Sequence, residues 1–388
     1  MHRPQAFPLI ACNELWGRLF RLWGATAGTG KGGTGFSLCE KSMQASLFIA
    51  PGAVAALEPL RLRQPNRLTA PDHEKTIVEG ASNPHRLKPM PPKWGIGFAL
   101  TVLSTLTAAA DPPKPPTTFS GTSALAFTRA VVSLGPRPVG SRPHAAMEQY
   151  IESQIKLHKA ELLSDVFTAK TPIGNLQMKN IMARFRGVTG RAIVFSGHYD
   201  TKKQAGFWGA NDAGSSTGFL LEMLRVLAKQ KHPDDIYLVW FDGEESFHEW
   251  TAADSLYGSR HLEEKWAADG TLSHIKALIN VDMIGDRNLD IGKEENSSKS
   301  LTKLVWDTAR DLGYAKYFPN DTGPIDDDHM PFVRAGVNAI DLIDLNFGPG
   351  NSYWHTSKDV MDKLSAGSLQ VLGDVLLGVL KKLDAGQQ

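Results

Sequence analysis

The sequence predicts an α/β protein: a single domain with a mostly parallel central sheet and helices on both faces. Three observations lead there. From about residue 118 onward, short strand-like runs alternate with segments of helical spacing, the pattern of parallel strands joined by helical crossovers. The apolar and charged fractions, 42% and 21%, are those of an ordinary globular chain, which excludes wholesale disorder and coiled coil. His, Asp and Glu collect just after the strand-like runs, where open α/β sheets gather ligands.

Taken in order, residues 1–89 show no strand or helix periodicity and carry scattered Gly and Pro. Within them, Gly24 to Gly35 has the look of a phosphate loop. However, Lys31 is followed by Gly32 instead of Ser or Thr, and no strand precedes it, so nucleotide binding is not expected. From Met90, Lys93 precedes an apolar run, Trp94 to Leu106, which ends in Ala108-Ala109-Ala110. A positive region, an apolar region and a small-residue end are the three parts of a signal peptide, here 90–110 with cleavage expected near Ala110. The run is too short to span a bilayer, and no Cys follows it for a lipid anchor, so no stable membrane anchor is expected. Residues 1–89 therefore stand upstream of an export signal and read as a start codon placed too early or as a disordered leader. Cys12 and Cys39 both lie there, so the exported part would have neither disulfide nor thiol nucleophile. The expected location is periplasmic or secreted.

A Pro-rich linker, 111–120, leads into the expected catalytic domain, 121–388. Helical spacing marks Ala124–Leu134 and Ala145–Lys159, separated by the turn Gly135-Pro136-Arg137-Pro138. Strands are expected at Asn180–Phe185, Ala192–Ser196, Ile236–Phe241, Ala277–Val281 and Ala339–Ile343. Helices are expected at Ser216–Lys229, Ser259–Trp266, Ser300–Leu312 and Ser368–Leu383. The formal net charge of +1 is a sum over unlike parts. Residues 1–89 hold 11 Lys and Arg against 6 Asp and Glu, and residues 111–388 hold 30 against 35. Neither the sum nor the acidic remainder offers a general attraction to nucleic acid, and no nucleic-acid partner is expected.

Five places combine an acidic or imidazole side chain with a strand end or loop. His198 and Asp200 follow the second strand, and Asp212 closes Gly209-Ala210-Asn211-Asp212 before a helix. Glu244 and Glu245 follow the third strand in Asp242-Gly243-Glu244-Glu245. Asp282 follows the fourth, and His355 lies beyond the last. Oxygen and imidazole donors from separate elements, with no thiolate, suit a catalytic zinc site that keeps an open position. Of two adjacent glutamates, one can bind metal while the other stays free as general base and acid. Each alone has a plainer reading: a satisfied histidine, a solvated loop, or an N-cap at Asp212.

The order His198-x-Asp200, Asp212, Glu244-Glu245, Asp282 and His355 resembles the zinc exopeptidase superfamily, which contains aminopeptidases and glutaminyl cyclases. The more discriminating segments are Asp254-Ser-Leu-Tyr-Gly-Ser-Arg-His261 and Asp327-Asp-His-Met-Pro-Phe332, together with Trp250 and Trp354-His355-Thr356. They are similar to the glutaminyl-peptide cyclotransferases, over roughly residues 120–385. The resemblance implies one zinc held by Asp212, Glu245 and His355. It implies Glu244 as proton shuttle with Asp282 hydrogen-bonded beside it, and Trp250, Asp327 and Trp354 lining a pocket for an amino-terminal glutamine. Peptide or protein N-termini would be the substrates, cyclised to pyroglutamate with loss of ammonia. Asp341 stands where the animal cyclases commonly have histidine. The same ligands fit a two-zinc aminopeptidase, with Asp212 bridging and His198 and Asp282 on the second metal. A non-catalytic peptide-binding domain would be expected to lack Glu244 or a ligand, and none is missing.

Overall fold

The computed structural model describes residues 119–386. The expected signal segment 90–110, the upstream residues with Cys12, Cys39 and the Gly24–Gly35 loop, and the linker as far as residue 118 lie outside the described residues. The chain enters through α1 (Gly121–Val132), capped by the Ser120 hydroxyl on the Ser123 amide. Next comes α2 (Arg142–Leu157), capped by Ser141 on the amide of His144, with Pro143 in its first turn. Such caps satisfy amides that a helix start leaves without partners. A hairpin of β1 (Glu161–Thr171) and β2 (Gly174–Phe185) follows, turning at Pro172 and Ile173. The alternating part is β3 (Ala192–His198), α3 (Gly214–Leu227), β4 (Asp235–Phe241), α4 (Tyr257–Asp269) and β5 (Ile275–Asp282). After it come the two-residue β6 (Lys293–Glu294), α5 (Lys299–Asp311), the equally short β7 (Thr322–Gly323), α6 (Met330–Arg334), β8 (Ala339–Ile343) and α7 (Ala366–Asp384).

The main sheet has six strands in the order β1-β2-β4-β3-β5-β8. Strands β4, β3, β5 and β8 run parallel, and β2 joins β4 antiparallel. The architecture is the one the sequence predicts, single-domain and mostly parallel. Alternate residues of each strand feed two apolar layers. Ile193, Phe195, Leu238 and Ile279 pack with α1, α2, α3, α5 and α7. Val194, Val239 and Leu278 pack with Leu262 and Trp266 of α4 and Phe332 of α6. Helix α1 crosses α3 closely at Gly218, where a Cβ would meet Thr128 Oγ1 at 2.2 Å.

The chain steps from β3 to β4 on one side and then to β5 on the other. That reversal opens a crevice at the carboxyl ends of these strands. The hairpin is the main departure from expectation: β2 begins at Gly174, six residues before the expected Asn180, and β1 has no counterpart among the expected strands. The inward face of β1 includes the buried Asp165, while Val166 is 61% exposed, so the apolar alternation that marks a half-buried strand is broken. Asp165 is satisfied by Asn180 at 3.0 Å, His261 at 2.8 Å and Lys265 at 2.9 Å. No helix among the described residues is long and apolar enough to cross a membrane.

Candidate active site

Three strand ends and two loops converge in the crevice. His198 is the last residue of β3 and Asp282 the last of β5. Beyond β4, Gly243 takes φ +65°, the left-handed region that glycine adopts without penalty, and a Cβ there would lie 2.6 Å from Met178 Sδ. The turn delivers Glu244 and Glu245, whose amides donate to the two oxygens of buried Asp200 at 3.1 and 3.4 Å. Asp212 precedes α3, and His355 arrives from the loop after β8. His355 adopts φ +50°, costly for a residue with a Cβ. Its carbonyl accepts from Gln204 Nε2 at 2.6 Å, and the Phe207 ring stands edge-on to its imidazole.

The side chains form two linked clusters. His355 Nε2 lies 3.2 Å from Asp212 Oδ2 and 3.1 Å from Glu245 Oε1. His198 Nε2 lies 3.3 Å from Asp212 Oδ1 and 3.2 Å from Asp282 Oδ1. Asp212 thus gives one oxygen to each cluster. Glu245 Oε1 is buried against the His355 ring nitrogen but has no well-aligned hydrogen-bond donor among the described residues, while its other oxygen takes Lys202 Nζ at 3.1 Å. The donor atoms of Asp212, Glu245 and His355 lie within 4.8 Å of one another, as do those of His198, Asp212 and Asp282. Two carboxylates and an imidazole, one oxygen orphaned, fit a divalent metal of the zinc type.

A third such group, His144, Glu148 and Asp242, is arranged differently. Its imidazole is occupied on both sides, by Asp242 at 2.7 Å and Glu148 at 3.4 Å. Lys179 already supplies Glu148 with a positive charge.

Burial and crowding set the charges. Burial pushes Glu244 well above the ordinary glutamate range; His198 pulls it back, while Glu245, Asp327 and Asp328 push it further up. Burial likewise takes Asp282 up to about 7 despite His198. Asp212 goes the other way: its hydrogen bonds to His198 and His355 outweigh burial and hold it below the usual range. His355 rises to about 9, burial being overcome by Asp212 and Glu245.

These groups open into a cavity of about 470 Å³ whose walls include Glu244, Trp250, Ile325, Asp327, Leu345 and Trp354. Trp250 and Trp354 are 39% and 41% exposed, so they are walls of the mouth and not core aromatics. Trp250 Nε1 donates to Asp326 Oδ2 at 3.4 Å, and Arg334 holds the other oxygen of Asp326 at 2.8 Å. Asp327 accepts from Asn280 Nδ2 at 3.3 Å, and the same amide group reaches Asp341 at 3.1 Å. A larger groove of about 640 Å³ runs along α5 past Trp306 and holds none of the sequence-predicted site residues.

The sequence-predicted residues line this one cavity except His198 and Asp200, which meet its lining through Asp212 and Asp282 and through the Glu244 and Glu245 amides, and one pairing differs. The resemblance implies a hydrogen bond between Asp282 and Glu244. In the structure His198 stands between them, its Nδ1 3.7 Å from Glu244 Oε2 and its Nε2 on Asp282. Sequence reasoning missed Lys202, Asn280, Asp326 and Asp359. Asp359 carried the one usable signal, lying four residues beyond His355.

Residues 180–380 match the model of peptidase family M28. A glutaminyl-peptide cyclotransferase of Drosophila melanogaster is 31% identical over 284 residues, 65% of this chain and 79% of that protein. The crystal structure of a glutaminyl cyclase from an Acidobacteriales bacterium is 38% identical, with a TM-score of 0.68 over 70% of this chain and 97% of that one. The glutaminyl cyclase of Porphyromonas gingivalis is 29% identical, with a TM-score of 0.63 over 68% of this chain and 99% of its own.

Proposed function

The chain belongs to peptidase family M28, and from that premise we propose that it is a glutaminyl-peptide cyclotransferase, converting the amino-terminal glutamine of peptides to pyroglutamate with release of ammonia. The observation that carries the reading is the joint geometry of the cavity: Asp212, Glu245 and His355 converge on one point, and Glu244 lies beside them in the same tryptophan-walled space.

Asp212, Glu245 and His355 would hold a zinc ion. When bound, it supplies Lewis acidity toward the γ-carbonyl of the substrate and toward the charge that develops on its oxygen. The chain's own residues do the rest. Nucleophile and electrophile belong to one glutamine, so the pocket's main task is to fold a flexible side chain back on its own amine. Trp250 and Trp354 wall that space and limit water, whose attack on the γ-amide would yield glutamate instead. The α-amine attacks as a free base, forming the N–Cδ bond as the Cδ–N bond of the amide breaks. Glu244, kept free of His355, accepts the proton from the amine and returns it to the departing ammonia. Asp282 holds the His198 ring that faces Glu244.

A two-metal aminopeptidase is the second reading, favoured by the split of the Asp212 carboxylate between His355 and His198. A Gln-initiated peptide separates the two. Ammonia without chain shortening supports the cyclase, and a free amino acid released from the peptide supports the aminopeptidase. We also propose export through the 90–110 signal, which predicts a mature N-terminus near Asp111; recovery of residues 1–89 from the native protein would refute it.

A further inference from the structure

Asp359 is fully buried, and both of its oxygens are engaged by backbone: Oδ1 accepts the Asn211 amide at 2.7 Å and Oδ2 the Asp212 amide at 3.2 Å. These bonds join segments almost 150 residues apart, Asp359 standing four residues beyond His355 on a loop closed by its own amide on the Thr356 carbonyl. Asn211 extends the bracket. Its side-chain amide donates to the Met283 carbonyl at 3.0 Å and its oxygen accepts the Gly285 amide at 2.8 Å. The loops bearing Asp212, Asp282 and His355 are thereby tied together behind the cavity. Arg137, also buried, completes the arrangement, its guanidinium donating to the Trp208 and Gly209 carbonyls at 3.0 and 2.7 Å.

We propose that Asp359 is a positioning residue of the metal centre, aiming the Asp212 carboxylate by clamping the amides of Asn211 and Asp212. The argument is geometric. Asp212 must direct one oxygen at His355 Nε2 and the other at His198 Nε2, so its Cα–Cβ direction is tightly constrained. The clamp on its own amide fixes the peptide plane from which that direction follows. Metal constellations tolerate about 0.5 Å of misplacement, and groups that orient ligands typically contribute 10–100-fold in metal affinity. An amide in place of the Asp359 carboxylate keeps one acceptor and turns an N–H toward an N–H.

The inference rests on the reading of Asp212 as a metal ligand, and the test separates the two. Zinc affinity of the full chain is measured by competition with a chromophoric chelator, and the coordination geometry by the visible spectrum of the cobalt(II)-loaded protein. Asp359→Asn is expected to bind zinc 10–100-fold more weakly with an altered cobalt spectrum. Asp374→Asn, which removes another buried carboxylate, on α7 and bonded to Tyr314 beyond α5 and to Gln370 of α7, is expected to lose stability but keep zinc affinity. If Asp359→Asn does not fold, Asp359→Glu decides, since it keeps both acceptors but displaces them by a methylene. Wild-type affinity and spectrum in the folded Asp359 variant would overturn the inference alone. A wild-type protein that binds neither metal would overturn the metal reading and the inference with it.

Discussion

Glu244 and His198 face each other across 3.7 Å, carboxylate oxygen to Nδ1, while the other nitrogen of the ring serves Asp212 and Asp282. Glu244 is therefore a buried acid with an imidazole on one side and Glu245, Asp327 and Asp328 pressing on it as neighbouring negative charge. Such a group is costly to ionise where it stands, which suits a proton shuttle better than a structural residue.

Replacing it with a neutral isostere, Glu244→Gln, has two expected effects of opposite sign. Activity on a Gln-initiated peptide falls by about 10²–10⁴-fold, the usual worth of general acid–base help, while zinc is retained. The metal-free variant unfolds at a higher temperature than wild type, because a buried like-charge conflict has been removed. The sign follows from linkage: an acid raised in the folded state destabilises increasingly as pH rises above the ordinary glutamate value. Near-normal turnover, or a lower melting temperature at pH 7, would count against the assignment.

Metal stoichiometry separates the two readings of Asp212. In the cyclase reading, one zinc per chain is removed by chelation together with activity and restored by zinc alone. His355→Ala abolishes that binding, and His198→Ala leaves it near one. A stoichiometry of two that falls to one in His198→Ala would favour the aminopeptidase.

Much of this arrangement was legible in the sequence, and the limits are physical. The last main-sheet strand, Ala339–Ile343, coincides with expectation at both ends, because a short buried parallel strand is an uninterrupted run between turn signals. Asp212, Glu244, Glu245, Asp282 and His355 could be picked out because polar groups at strand ends are conspicuous in such a chain. What was hidden depends on partners far along the chain. Asp165 breaks the pattern of β1 because Asn180, His261 and Lys265 satisfy it, and the spacing of Asp359 from His355 marks its neighbourhood but not its hold on the Asn211 and Asp212 amides. The place of His198 between Glu244 and Asp282 likewise follows from how β3 is flanked by β4 and β5, which spacing does not reveal.

The Trp250 wall depends on Asp326, which takes the indole N–H at 3.4 Å. Trp250→Ala should raise KM for Gln-initiated peptides by about tenfold, the worth of a partly buried aromatic surface. Asp326→Ala, which frees the indole without removing it, should raise KM by less and leave zinc affinity unchanged. An unchanged KM in Trp250→Ala would remove this residue from the substrate pocket.

Beneath that wall, Glu294 of β6 grips the Asp327-Asp328-His329 segment. It receives His329 Nε2 at 3.0 Å, the Asn296 and Ile325 amides at 2.8 and 3.2 Å, and Ser297 Oγ at 2.9 Å. Burial works against the charge, but these donors prevail and bring the acid down to about 2 from its ordinary 4.5. A carboxylate lowered in the folded state stabilises fully above its unfolded pKa and loses that contribution as pH falls through the folded one. The window is therefore about pH 4.5 to 2, and the stake at neutral pH is on the order of 3 kcal/mol for a shift of this size. Denaturant unfolding of wild type and Glu294→Gln at pH 7, 5 and 3 should show the variant clearly less stable at the first two, with the gap closing at the third. A gap that is constant across the three, or that widens in acid, would mean that the lowered carboxylate is not what holds this segment under the pocket.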